Sequence, residues 1–196
     1  MMSAFRQESL RKIFHAFSAG YALLFVAAGR GPTLWILGTA LVLGAGLEAG
    51  RLRHGPFNAW LLGRFAGIHR EKEGHRPSGI FWTLAGCFLV VLLVPERDIV
   101  VAAMLYLAVG DGLAGFVGRT WGRLRIGGKS LEGSLACFLG AWVVGVLVLT
   151  PVPGRPEALV GALLAAVLEF FSLPPDDNMT LPLLSGLALH FFRGMA

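Results

Sequence analysis

Asp111 stands at the end of an apolar stretch. The run Ile99–Val109, IVVAAMLYLAV, leads to it, and glycines occupy positions 110, 112, 115 and 118 around it. A basic loop follows, with Arg119, Arg123, Arg125 and Lys129. Ser130-Leu131-Glu132-Gly133-Ser134 then opens another apolar run. A carboxylate inside a membrane-length apolar segment costs roughly 2.5–3.5 kcal/mol on insertion scales, so a partner must offset it. A metal ion or a polyphosphate site would do so. Asp111, Gly115 and Arg119 fall at i, i+4 and i+8, one stripe of a helix. The glycines leave room beside that stripe for a ligand, or for a closely packed helix held by an Asp111–Arg119 network.

Lys129-Ser130 after Gly127-Gly128 looks like the end of a phosphate-binding loop. Five residues separate Gly122 from Gly128 where that loop has four, and no strand precedes it, so a Walker-type fold is rejected. The local physics still applies. Ser130 can cap a helix starting at Leu131, exposed N–H groups there favour phosphate, and Lys129 adds a point charge. Glu132 is either a plain first-turn acid matched to the helix dipole, a metal ligand, or a group that orients Lys129.

Asp176-Asp177-Asn178 follows Pro174-Pro175. Crowded oxygen ligands suit Mg²⁺, which takes one or two carboxylates plus substrate phosphates. Alone, the triplet also reads as a solvated turn. Glu169 is buried by pattern and needs a partner. Lys12 and His15 sit around the start of the first helix, where interfacial anchoring is the competing explanation. His54, His69, His75 and His190 join no constellation, and there is no zinc spacing and no HExxH.

These residues need scaffolding, and composition says of what kind. The chain has 196 residues, 55% hydrophobic and 15% charged, with a mean hydropathy of +0.68. Soluble domains are about a quarter charged. The reading is all-α: a single polytopic membrane domain over 1–196, with about seven transmembrane helices near 13–29, 32–49, 79–95, 98–118, 131–150, 156–172 and 180–193. Breakers at Gly31-Pro32, Pro77, Pro95, Pro151–Pro156 and Pro174-Pro175 fit these limits. The first apolar segment reads as a retained helix, not a signal peptide. About 52–78 is too polar to span; it is a helix in the headgroup plane or a linker helix on the bundle.

With the N-terminus cytoplasmic, thirteen Lys and Arg fall on the cytoplasmic side and four (30, 97, 155, 193) on the other. Nine of the twelve acids share the cytoplasmic side, including Glu48, Asp111, Glu132, Glu169, Asp176 and Asp177. Mixed charge at one face suggests a site for an anion plus a cation, and the segregation argues against nucleic acid as the partner of the basic excess. Gly44–Arg51, with Glu48 and Arg51, echoes Gly110–Arg119, which close helix packing explains without a repeat.

At these residues the chain resembles the CTP-dependent lipid alcohol kinases: dolichol kinase, phytol kinase and the CTP-using diacylglycerol kinase, distant kin of the CDP-diacylglycerol synthases. The matching pieces are Arg11-Lys12-x-x-His15, Glu48-x-x-Arg51, Gly110-Asp111 to Gly118-Arg119, Lys129-Ser130-Leu131-Glu132-Gly133-Ser134, and Glu169 with Asp176-Asp177-Asn178. They follow the family's order over nearly the whole chain. Gly128 stands where many members carry a polar residue, and the chain is much shorter than dolichol kinase.

The resemblance implies transfer of the terminal phosphoryl group of CTP to a membrane lipid alcohol, with Mg²⁺ or another divalent cation, in the cytoplasmic membrane of a prokaryote. The expected catalytic groups are Asp111, Lys129, Glu132 and Asp177. The expected metal ligands are Asp111, Asp176, Asp177 and Glu169. Nucleotide contacts are expected from Arg119, Arg123, Lys129, Ser130, Gly133, Ser134, Asn178, Lys12, His15, Glu48 and Arg51. The enzyme alternative is cytidylyl transfer to make a CDP-lipid; the non-enzyme alternative is a small transporter, which would place its ionisable groups near the midplane. The sequence sets no oligomeric state.

Overall fold

A computed structural model describes residues 18–64, 71–149 and 156–195. Lys12 and His15 lie outside the described residues. The architecture is helical, as expected: α1 (Ser18–Ala28), α2 (Arg30–Arg53), α3 (Gly55–Arg64), a 3₁₀ turn (Glu71–His75), α4 (Gly79–Leu93), α5 (Arg97–Leu105), a π-helical turn (Tyr106–Asp111), α6 (Gly112–Thr120), α7 (Leu131–Val148), α8 (Glu157–Phe171) and α9 (Asp177–Met195). Three stretches are long and apolar enough to cross a membrane: Arg30–Arg53, the continuous Arg97–Thr120, and Leu131–Val148. Ser18–Ala28 and Gly79–Leu93 are shorter apolar helices. The expected helices at 156–172 and 180–193 form as α8 and α9. At 15 residues, α8 is about 22 Å long, short of the roughly 30 Å hydrocarbon core.

Packing follows the small residues. α7 lies on α8 and α6, α4 on α9 and α2, and α8 on α9. A Cβ on Gly86 would lie 2.8 Å from the Met179 Cα, so α4 and α9 touch backbone to backbone there. Around this contact Val90, Val91, Ile99, Met104, Leu181 and Leu189 form the buried core.

The polar groups separate to the two ends of the helices. At one end Arg193 makes a bidentate pair with Asp98 (2.9 and 2.9 Å) and a second with Glu157 (3.0 and 2.7 Å). There too His190 meets Glu96 at 2.8 Å, and Arg30 donates to the Pro95 carbonyl at 2.8 Å. Arg51, Asp111, Arg119, Glu169 and Asp177 belong to the opposite ends of the same helices.

The one strand pair among the described residues was not anticipated. β1 (Arg125–Ile126) and β2 (Lys129–Ser130) pair antiparallel, Arg125 with Ser130 and Ile126 with Lys129. Gly127 (φ 58°) and Gly128 (φ 87°) are both left-handed, the signature of a two-residue type I′ hairpin. The glycine pair compared above with a phosphate-binding loop is therefore a hairpin turn.

Candidate functional site

The hairpin delivers Lys129 to a cavity of about 1020 Å³. Its lining includes Asp111, Gly115, Arg119, Arg125, Lys129, Ser130, Glu169, Ser172, Asp176 and Asp177, with Glu73, Arg76 and Trp82 on another wall. Asp111, Lys129 and Asp177, which lie in three separate stretches of sequence, thus share one space. Its size is at the upper end of the range for single-ligand clefts.

Each side chain is held by identifiable local structure. Asp111 closes the π-helical turn, whose wider winding resets the register between α5 and α6. The Arg119 guanidinium lies over Gly115, where a Cβ would sit 3.1 Å from its Nη2; the space the stripe of glycines leaves is filled in part by this arginine. Ser130 caps α7, accepting from the Gly133 amide at 3.0 Å. Three glycines close around that cap. A Cβ on Gly118 would lie 2.8 Å from the Ser130 Oγ, one on Gly122 2.1 Å from the Gly118 carbonyl, and one on Gly133 2.8 Å from the Ala114 carbonyl. This contact seats the N-terminus of α7 against α6 at the cavity.

Lys129 is the electrostatic centre. Its Nζ lies 2.6 Å from Glu169 Oε1 and 3.5 Å from Asp177 Oδ2. Burial alone would lower its pKa; the Glu169 hydrogen bond and the charges of Glu169, Asp111 and Asp177 outweigh this and raise it above the ordinary lysine value. Glu169, 3% exposed, also accepts from the Ser134 hydroxyl at 3.1 Å, which supplies the partner its burial demands. Asp177 Oδ2 accepts from Ser172 at 3.1 Å. Two carboxylates thus contact one ammonium, and Asp111, Arg119 and Arg125 line the same cavity.

Other expected residues take different places. Glu132 accepts from the backbone amides of Arg123 (3.0 Å) and Leu124 (3.2 Å), bracing the loop rather than touching Lys129. Glu132, Arg123, Ser134 and Asn178 are not among the lining residues. Asn178 is buried and donates to Asp176 Oδ1 through its backbone N–H (3.1 Å) and its Nδ2 (2.6 Å), shaping the start of α9. Glu48 and Arg51 also stand behind the cavity. Arg51, 1% exposed, donates to Glu48 Oε2 (2.8 Å), Asn58 Oδ1 (3.0 Å) and the carbonyls of Glu73 (2.9 Å) and Arg76 (2.6 Å). It clamps the wall from which Glu73 and Arg76 line the cavity.

Sequence reasoning did not find Arg76, Glu73 or Trp82, and it did not separate Arg125 from Arg123. The Arg76 neighbours are distant in sequence, and its own segment carries no helical period. The alternation within Arg123-Leu124-Arg125 was the only usable signal for Arg125. Among the described residues, no three acidic, His or Cys side chains group closely enough to hold a metal by themselves.

The described helices thus form an apolar bundle that gathers mixed charge in one cavity, as suits an integral membrane protein. The chain is 27% identical over 214 residues to a CTP-dependent diacylglycerol kinase of Saccharomyces cerevisiae, covering 94% of this chain and 73% of that one. It is 40% identical over 93 residues to a phytol kinase of Synechocystis, 43% of this chain and 40% of that one. An uncharacterized protein of Rickettsia prowazekii matches at 27% over 90% of both chains. No family profile matches the chain, and no solved structure does. At modest identity, these relatives support a kinship with the CTP-dependent lipid kinases.

Proposed function

We propose that the protein moves the γ-phosphoryl group of CTP to the hydroxyl of a membrane lipid alcohol, at the cytoplasmic end of the bundle. The observation that carries this reading is the shared cavity of Asp111, Lys129 and Asp177. The lipid oxygen forms the new bond to the γ-phosphorus, the bond from that phosphorus to the β–γ bridging oxygen breaks, and CDP leaves. The hydroxyl proton passes to a cavity carboxylate, with Asp111 the candidate. Such transfer depends chiefly on positioning and charge neutralisation.

Lys129, Arg119 and Arg125 are the phosphate-gripping cations, and the Ser130-capped start of α7 adds N–H donors. Arg76 faces the same space from the clamped wall. The donor set fits a hard divalent cation: oxygen ligands only, too few for a closed protein cage, completed by substrate phosphates. Asp111 and Asp177 would hold Mg²⁺, with Asp176 or Glu169 assisting; when bound it supplies charge neutralisation across the phosphates. The hydroxyl reaches this end of the bundle while its tail stays among the helices.

Labelled CTP tests the reading. With purified protein, Mg²⁺ and a panel of diacylglycerol, phytol and polyprenol, γ-label enters the lipid. Entry of α-label instead identifies cytidylyl transfer, and no labelled lipid from any acceptor rejects both.

A further inference from the structure

The segment joining the membrane-length helices Arg97–Thr120 and Leu131–Val148 is short and unusual in what it exposes. Only residues 121–130 separate the span ending at Thr120 from the one starting at Leu131. They must therefore lie at a helix end, at the depth of the headgroups. Trp121 is 60% exposed, Leu124 62% and Ile126 57%, with Phe116 edge-on to Trp121 at 5.6 Å. A loop facing water has no reason to present four large apolar side chains together. Cations are interleaved with them: Arg119, Arg123 and Arg125 are all exposed. Glu132 turns its carboxylate to the loop's own amides, and Glu169 and Asp177 face Lys129 on the cavity side. Apolar groups flanked by arginine, at the level where a membrane turns polar, match the chemistry of an anionic lipid surface.

We propose that this hairpin docks onto the anionic surface of the leaflet in which its own two helices end, with Leu124, Ile126 and Trp121 in the acyl boundary. Arg123, which does not line the cavity, then meets lipid phosphate. Since Arg125 and Lys129 do line the cavity, membrane charge reaches the site through the hairpin's position. The proposal stands on exposure and charge alone and does not depend on the phosphotransfer reading.

The test places a nitroxide at Ile126→Cys in the full protein reconstituted in nanodiscs; Cys87 and Cys137 are buried and free, and their substitution by Ala removes residual labelling. Nanodiscs are either pure phosphatidylcholine or phosphatidylcholine with phosphatidylglycerol. The expected result is relaxation by oxygen and protection from a water-soluble nickel chelate, stronger with phosphatidylglycerol. Arg123→Gln lowers the inserted-to-free ratio about fivefold, from about 1 kcal/mol per surface cation. Salt screening reproduces that loss. Equal access of the nickel chelate in both lipid mixtures overturns the proposal. So does protection that rises with protein copies per disc, which assigns the surface to a second copy of this chain.

Discussion

Lys129 shows how burial and partnership divide the work at a single residue. Its stem is covered, and its ammonium is tied to Glu169 and reaches Asp177. Lys129→Met removes the cation and leaves the buried Glu169 carboxylate with only the Ser134 hydroxyl, a change that costs about 3 kcal/mol. The expected outcome is lower thermal stability and a KM for CTP at least tenfold higher. Because the folded pKa is raised, the pair's contribution is fully present below the ordinary lysine value and is lost as pH rises through the folded value. The stability gap between wild type and Lys129→Met therefore holds from pH 6 to 9 and narrows only above about 10.4; a gap that closes near pH 8 contradicts this. Asp111→Asn and Asp177→Asn are each expected to cut kcat at least a hundredfold with folding intact, as read by thermal melts. Glu132→Gln loosens the loop rather than the chemistry, so its losses should be severalfold and fall on stability as much as on rate.

At the scale of elements, the hairpin and the wall behind Arg51 decide where the cations stand. Gly128→Val puts a branched side chain at φ 87°, which costs about 2 kcal/mol and displaces Lys129. Arg51→Lys keeps the charge but loses the planar fork that reaches two carbonyls and two side chains. Its expected signature is a raised KM for CTP with kcat within a fewfold of wild type, since the wall moves and the acids do not. An unchanged KM separates the clamp from the cavity. Gly86→Ala forces α4 off α9 and is expected to lower the melting temperature by several degrees.

Helix positions were legible because proline and glycine punctuate this chain so sharply; α2, α4, α7 and α8 start or stop within a few residues of the breakers. Asp111, Lys129 and Asp177 were legible as well, because charged groups in apolar sequence announce a cost that must be met. The hairpin was hidden: a Gly-Gly pair fits a phosphate loop and a type I′ turn equally until the strands pair. Arg51 was singled out as a nucleotide contact; its place as a clamp was hidden, since only the fold brings the carbonyls of 73 and 76 to it.

For the whole molecule, the two ends of the bundle are built differently. The end with Arg193 matches its arginine to two carboxylates and His190 to Glu96, a closed set of pairs. The cavity end instead gathers carboxylates, a lysine and arginines from several elements around one open space. That asymmetry also weighs against the transporter alternative, whose ionisable groups would meet near the midplane. The central claim is that Asp111 and Asp177 serve one metal-bound nucleotide as a unit. A double-mutant cycle on single-turnover transfer of γ-label from CTP to lipid tests it, since groups that act together are strongly non-additive. Asp111→Asn with Asp177→Asn is expected to be no slower than the worse single variant; two losses that multiply in full, or a single variant with wild-type rate, would contradict a shared role.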